Sequence, residues 1–96
     1  MFARVSTYEG ATGQADGVRQ AVEGMAEQVR ANAGFQRGYF LLDRSSGKAL
    51  SITLWESEQA LQASASAVNP FRTQLAQVLG SSGQPGVSTY EVVGEI

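Results

Sequence analysis

Apolar and polar residues alternate along Leu50-Ser51-Ile52-Thr53-Leu54, a period of two that predicts a strand ending at Trp55. Directly after it, Ser57 is placed to cap a helix with its hydroxyl, and Glu58 sets negative charge near that helix's positive end. The chain therefore turns from strand to helix within Leu54-Trp55-Glu56-Ser57-Glu58-Gln59-Ala60-Leu61, with its only tryptophan at the end of a sheet. Such an end is a common rim for a small-molecule pocket.

The remaining elements follow from the same patterning. Met1 to Tyr8 alternates as a first strand, with Phe2 and Tyr8 on one face and Ala3 and Val5 on the other. Gly10, Gly13 and Gly17 mark a loop. From about Ala15 to Ala33, Val18, Val22, Met25 and Val29 recur at steps of four, three and four, the stripe of a helix packed on a sheet, and Gly34 is the expected stop. Phe35 to Leu42 predicts a second strand, apolar in both parities near its end, so both of its faces favour burial. The polar turn Asp43 to Lys48, with Gly47 late in it, predicts a hairpin into the third strand, Ala49 to Trp55. A second helix runs from about Glu58 toward Leu79, and Asn69-Pro70 is expected to kink or restart it. Gly80 to Gly86 reads as a flexible loop, and Val87 to Glu95 as a closing strand.

Strand, helix, strand, strand, helix, strand is the α+β ferredoxin-like βαββαβ order, a four-stranded antiparallel sheet with two helices on one face. Two helices cover only one face. The apolar second strand and Leu50, Ile52 and Leu54 would otherwise meet water, and burying each large side chain is worth about 1.5–3 kcal/mol. The expected partner is a second copy of the chain, sheet against sheet; the alternative is a monomer with a half-exposed sheet.

Composition narrows the chemistry. At 96 residues the chain reads as one domain, 1–96. Seven basic and nine acidic residues give a net charge of −2 with no basic cluster, which argues against nucleic acid as a partner. The absence of cysteine and histidine removes disulfides, thiol nucleophiles, thiolate metal sites, the commonest general base and the usual axial ligand of haem. No apolar run approaches the roughly 18–20 residues of a membrane span, and the N-terminus lacks a long apolar run behind a basic flank. The expected location is the cytoplasm.

The run Trp55-Glu56-Ser57-Glu58-Gln59-Ala60, preceded by a hairpin that starts at Gly34-Phe35 and followed by Asn69-Pro70, resembles the antibiotic biosynthesis monooxygenase family of dimeric α+β barrels. That resemblance implies a homodimer and, from members acting on polyketide anthrones, an oxygenase without metal or flavin, in which the substrate's own ring reduces dioxygen. In the quinone-forming members the motif's tryptophan lines the substrate cavity, and Trp55 matches it. An asparagine, a tyrosine and an arginine of those members correspond to Ser51, Leu61 and about Ala76 here. The haem-degrading branch uses a histidine on the second helix, which this chain lacks, and an asparagine on the first strand, where Ser6 or Thr7 stands.

Candidate ligand-binding residues are Trp55, Ser51, Tyr39, Tyr8, Arg37 and Arg72. Trp55 either lines a cavity with its parity mates Ser51 and Thr53 or packs in the core or dimer interface. Ala63-Ser64-Ala65-Ser66-Ala67 either lets the helix lie close on the sheet or leaves room for a ligand. Tyr8, Tyr39 and Tyr90 are phenolic donors or packing groups. Arg37 shares the parity of Phe35 and Tyr39, and enters the sheet interior or lies at its edge. Arg72 is placed to bind an anionic or phenolate group if the helix turns it inward. The expected ligand is a small aromatic molecule, anthrone- or hydroquinone-like. Trp55 would hold its ring, Tyr39 or Tyr8 would bond its oxygen, and Arg72 or Arg37 would stabilise a phenolate. A binding module without chemistry and a purely structural dimer with a collapsed pocket are the alternatives.

Overall fold

Strand β1 (Phe2–Tyr8) occupies the middle of a four-stranded antiparallel sheet, between β3 (Lys48–Trp55) and β4 (Gly86–Glu91), and β2 (Phe35–Asp43) pairs with the outer edge of β3. Helices α1 (Ala15–Arg30), α2 (Glu58–Ala63) and α3 (Ala65–Leu79) complete the ferredoxin-like α+β order. The computed structural model describes residues 1–9, 15–80 and 85–96. Gly10 and Gly13 of the expected first loop, and 81–84 of the second, lie outside the described residues. Gly17, expected in that loop, lies within α1.

Local signals build the junctions. The Ser57 hydroxyl accepts the Ala60 N–H at 3.0 Å and so caps α2 where the alternation of β3 ends. After α1, the Asn32 side chain donates to the carbonyls of Gln28 and Val29 and closes the last turn. Gly34 follows at φ +82°, a conformation in which a side chain is strained, and a Cβ there would stand 2.5 Å from that of Ala60. The turn before β2 is thereby pressed against α2, and the Gly34 carbonyl accepts the Glu56 N–H at 2.8 Å.

The second helix and the last strand differ from expectation. The long helix breaks at Ser64, six residues before Pro70, which lies inside α3. A proline removes only one helical bond, whereas the Ser64 hydroxyl donates to the Leu61 carbonyl at 2.7 Å, and so competes directly with the backbone for that acceptor. The last strand stops at Glu91 rather than Glu95 because its partner ends: Glu91 pairs with Phe2, and one further bond joins the Val92 N–H to the Met1 carbonyl.

The register sorts the sheet into two faces. Phe2, Arg4, Ser6 and Tyr8 of β1 lie opposite Trp55, Thr53, Ser51 and Ala49 of β3 on the face under the helices. On β2 an irregularity between Phe35 and Arg37 shifts the alternation: Phe35, Gly38, Phe40 and Leu42 fall on the helix side, and Arg37, Tyr39 and Leu41 on the other. The predicted shared parity of Phe35, Arg37 and Tyr39 fails at this one residue. Tyr39 and Leu41 are about half exposed on the outer face, alongside the partly buried Leu50, Ile52 and Leu54.

The helix-side core is divided. Tyr8, Ala49, Leu75 and Leu79 form one apolar cluster at one end of β1, with Val18 and Phe40 packed against it. Trp55, Leu61 and Val68 form another at the opposite end, joined by Phe2, Phe35 and Phe71. Between them the sheet is polar.

Candidate functional site

The polar waist consists of two facing pairs, Arg4 opposite Thr53 and Ser6 opposite Ser51. A cavity of about 420 Å³ opens above it, bounded on the helix side by Val22, Met25 and Val29 of α1 and by Phe71, Arg72 and Leu75 of α3. A second cavity of about 390 Å³ shares Tyr8, Val22, Phe40 and Leu75 with the first, so Tyr8 stands at their junction. Apolar walls with a few convergent polar groups are the ordinary makeup of a small-molecule site.

Arg4 is the unexpected member. It rises from the centre of β1 and is only 5% exposed. Its Nη1 donates to Ser64 Oγ at 3.2 Å and its Nη2 to the Leu61 carbonyl. Both acceptors lie at the break between α2 and α3, Leu61 in the last turn of α2 and Ser64 as its C-cap. The guanidinium also lies over the Trp55 ring, 5.8 Å from its centroid. Burial, and then the positive charge of Arg72, lower the Arg4 pKa from its ordinary value.

Arg72 reaches the same wall from α3. Its Nε donates to Ser6 Oγ at 3.0 Å, and its Nη1 to Asn69 Oδ1 at 2.6 Å one turn earlier, which turns the arginine toward the sheet. Beside it the Tyr8 hydroxyl and Ser51 Oγ share a hydrogen bond of 3.2 Å. Burial pushes the Tyr8 phenol above its ordinary pKa, against the Ser51 bond and the Arg72 charge, which lower it. The phenol is therefore held as a neutral donor or acceptor at the pocket floor.

Of the six residues nominated from sequence, Tyr8, Ser51 and Arg72 converge on this cavity. Arg37 and Tyr39 border it from edge strand β2, while the register turns their side chains to the outer face. There the hydrogen bond with Tyr39, more than any other factor, raises the Arg37 pKa. Trp55 lies behind the cavity wall: it is 0% exposed, donates its indole N–H to Thr53 Oγ1 at 3.0 Å, and takes the edge of Phe35 at 5.3 Å between ring centroids. Arg4 and Ser6 were not nominated. Their signal was present in the alternation of β1, which sets them on the face of Phe2 and Tyr8.

The family description "antibiotic biosynthesis monooxygenase" matches residues 1–69. In sequence, the chain is 36% identical over 52 residues to the uncharacterised protein Rv2557 of Mycobacterium tuberculosis, a match covering 54% of this chain and 22% of that protein; the chain thus spans less than a quarter of that relative's length. In structure it resembles the ActVA-Orf6 monooxygenase of Streptomyces coelicolor, solved in complex with nanaomycin D, at TM-score 0.77 and 26% identity over 99% of this chain and 89% of that one. SnoaB, a cofactor-independent oxygenase from Streptomyces nogalater, shares the fold at TM-score 0.73 and 15% identity, covering 99% and 95%. So does the haem degrader MhuD of Mycobacterium tuberculosis, at 0.71 and 21%, covering 100% and 99%. With the family pattern spanning most of its length and its fold reproduced throughout, the chain belongs to the antibiotic biosynthesis monooxygenase family.

Proposed function

We propose that the protein is an oxygenase that works without metal or flavin on a small aromatic, anthrone- or hydroquinone-like substrate. The observation that carries this reading is the cavity of about 420 Å³ whose apolar walls enclose Tyr8, Ser51 and Arg72. Such a reaction needs little from the protein beyond position, a proton path and a dry site. For an anthrone, the ring methylene and dioxygen become a quinone carbonyl and water, and the substrate supplies all four electrons. Tyr8 donates to the substrate oxygen and to the phenolate formed when the ring loses its proton, and Val22, Met25 and Phe71 hold the ring plane.

Haem chemistry fits this chain poorly. It has no histidine and no cysteine to serve as an axial ligand, and the Tyr8 phenol is bonded to Ser51. The cover for the outer sheet face, where Tyr39 and Leu41 are half exposed, is a second copy of the chain.

A binding module without chemistry is the second reading. It draws on Leu61, which corresponds to a tyrosine of the quinone-forming members and is buried against Trp55. Oxygen uptake with a panel of anthrones and hydroquinones separates the two. Saturable uptake that falls in Tyr8→Phe supports the oxygenase, and saturable binding without uptake supports the module.

A further inference from the structure

Two guanidinium groups share one wall of the cavity, and among the described residues that line it there is no Asp or Glu. Arg4 is bonded to Ser64 and the Leu61 carbonyl, and Arg72 to Ser6 and Asn69, all of them neutral oxygens. Only two of the five N–H groups of each are engaged in these bonds. The pair is close: Ser6 follows Arg4 on the same face of β1, and Ser6 is the residue that Arg72 grips. Arg4 is buried and Arg72 half-buried beside it, their like charges oppose one another, and a buried cation ordinarily has a partner anion. The local excess of positive charge also stands out in a chain whose net charge is −2.

Resting on the reading of this cavity as an aromatic-ligand site, we infer that its ligand carries a carboxylate, which Arg4 and Arg72 bind together at the polar waist while its rings lie against Val22, Met25 and Phe71. A carboxylate is the fitting anion because its two coplanar oxygens match the planar forks of two guanidinium groups, one oxygen to each. The helix break at Ser64 gives Arg4 a fixed orientation through its two carbonyl and hydroxyl acceptors, so its unused N–H groups are set before the ligand arrives. A neutral hydroquinone of the same size would leave both cations without an anion. Recognition then depends on charge at one end of the ligand, and oxidation on the electron-rich ring at the other.

The test compares two ring-matched probes, anthraquinone-2-carboxylate and anthraquinone-2-carboxamide. Both are already oxidised, so affinity is read without turnover. Titrated calorimetrically into the native protein at fixed ionic strength, the carboxylate should bind roughly tenfold or more tightly than the carboxamide. In Arg72→Gln that preference should shrink to about threefold or less. Arg4→Met should do the same; if that variant does not fold, the native comparison and Arg72→Gln decide. Equal affinity of the two probes for the native protein overturns the carboxylate and leaves the aromatic pocket standing. A preference that survives loss of Arg72 overturns the shared grip. No binding of either probe overturns both the carboxylate and the aromatic-pocket reading on which it rests.

Discussion

The Arg4 guanidinium lies over the Trp55 indole at 5.8 Å from its centroid, so the tryptophan meets the cavity through the arginine rather than with its own surface. Two roles follow for one ring, filling the cluster with Leu61 and Val68 and backing the cation. Trp55→Ala should lower unfolding free energy by about 3–5 kcal/mol. Trp55→Phe keeps an aromatic face and should cost less, while still weakening carboxylate binding through a looser Arg4. Denaturant titration of the three proteins beside probe affinity checks both effects.

Tyr8→Phe removes the hydroxyl shared with Ser51 and keeps the ring, which is 1% exposed in its cluster. The expected loss of stability is about 1–2 kcal/mol. If the phenol donates to the substrate oxygen, oxygen uptake should fall about 10²-fold, a loss of transition-state stabilisation rather than of fold.

The same residue gives a pH dependence. Burial raises the Tyr8 pKa above its ordinary value of 10.0, so the folded chain holds that proton more tightly than the unfolded one. This stability is fully present below the unfolded value and is lost as pH rises through the folded one. Above about pH 10 the native protein should therefore lose stability more steeply than Tyr8→Phe, as chemical denaturation across that range would record.

Gly34→Ala strains the turn twice, through φ +82° and through a Cβ placed 2.5 Å from that of Ala60. The expected cost is about 2–4 kcal/mol. Adding Ala60→Gly should recover the crowding part and leave the backbone part, so the double variant should melt between the native protein and the single one.

On the outer face, Leu41→Glu adds charge where a second copy would pack and touches neither apolar cluster under the helices. Sedimentation velocity at micromolar concentration should give a dimer for the native protein and a monomer for the variant. A native monomer would sink the sheet-to-sheet arrangement.

Features set by near neighbours were legible in the sequence. The Ser57 cap, the glycine stop at Gly34 and the Gly47 hairpin turn each depend on a few adjacent residues, and the strand order followed from them. Features set across the fold were harder to read. The helix breaks at Ser64, where the local bond from its hydroxyl to the Leu61 carbonyl is joined by Arg4, sixty residues earlier in the chain, donating to both residues, a contact that no local propensity contains. The irregularity before Arg37 inserts one residue and reverses the faces that alternation assigned to Arg37 and Tyr39. Trp55 has the parity of Ser51 and Thr53, as expected, yet α2 closes over it while the other two remain beside the cavity. Period gives a face; only packing gives depth.

The two apolar clusters at opposite ends of β1 also bear on how such a chain diverges. Because Leu75 and Leu79 secure one end and Leu61 and Val68 the other, the residues between them are released from most of the work of keeping the chain folded. Ser6, whose side chain bonds Arg72 rather than either cluster, can be exchanged for another small residue while both anchors stay in place. Ligand preference can then drift quickly under selection without a matching loss of solubility or expression, and a common architecture can survive at 15% identity.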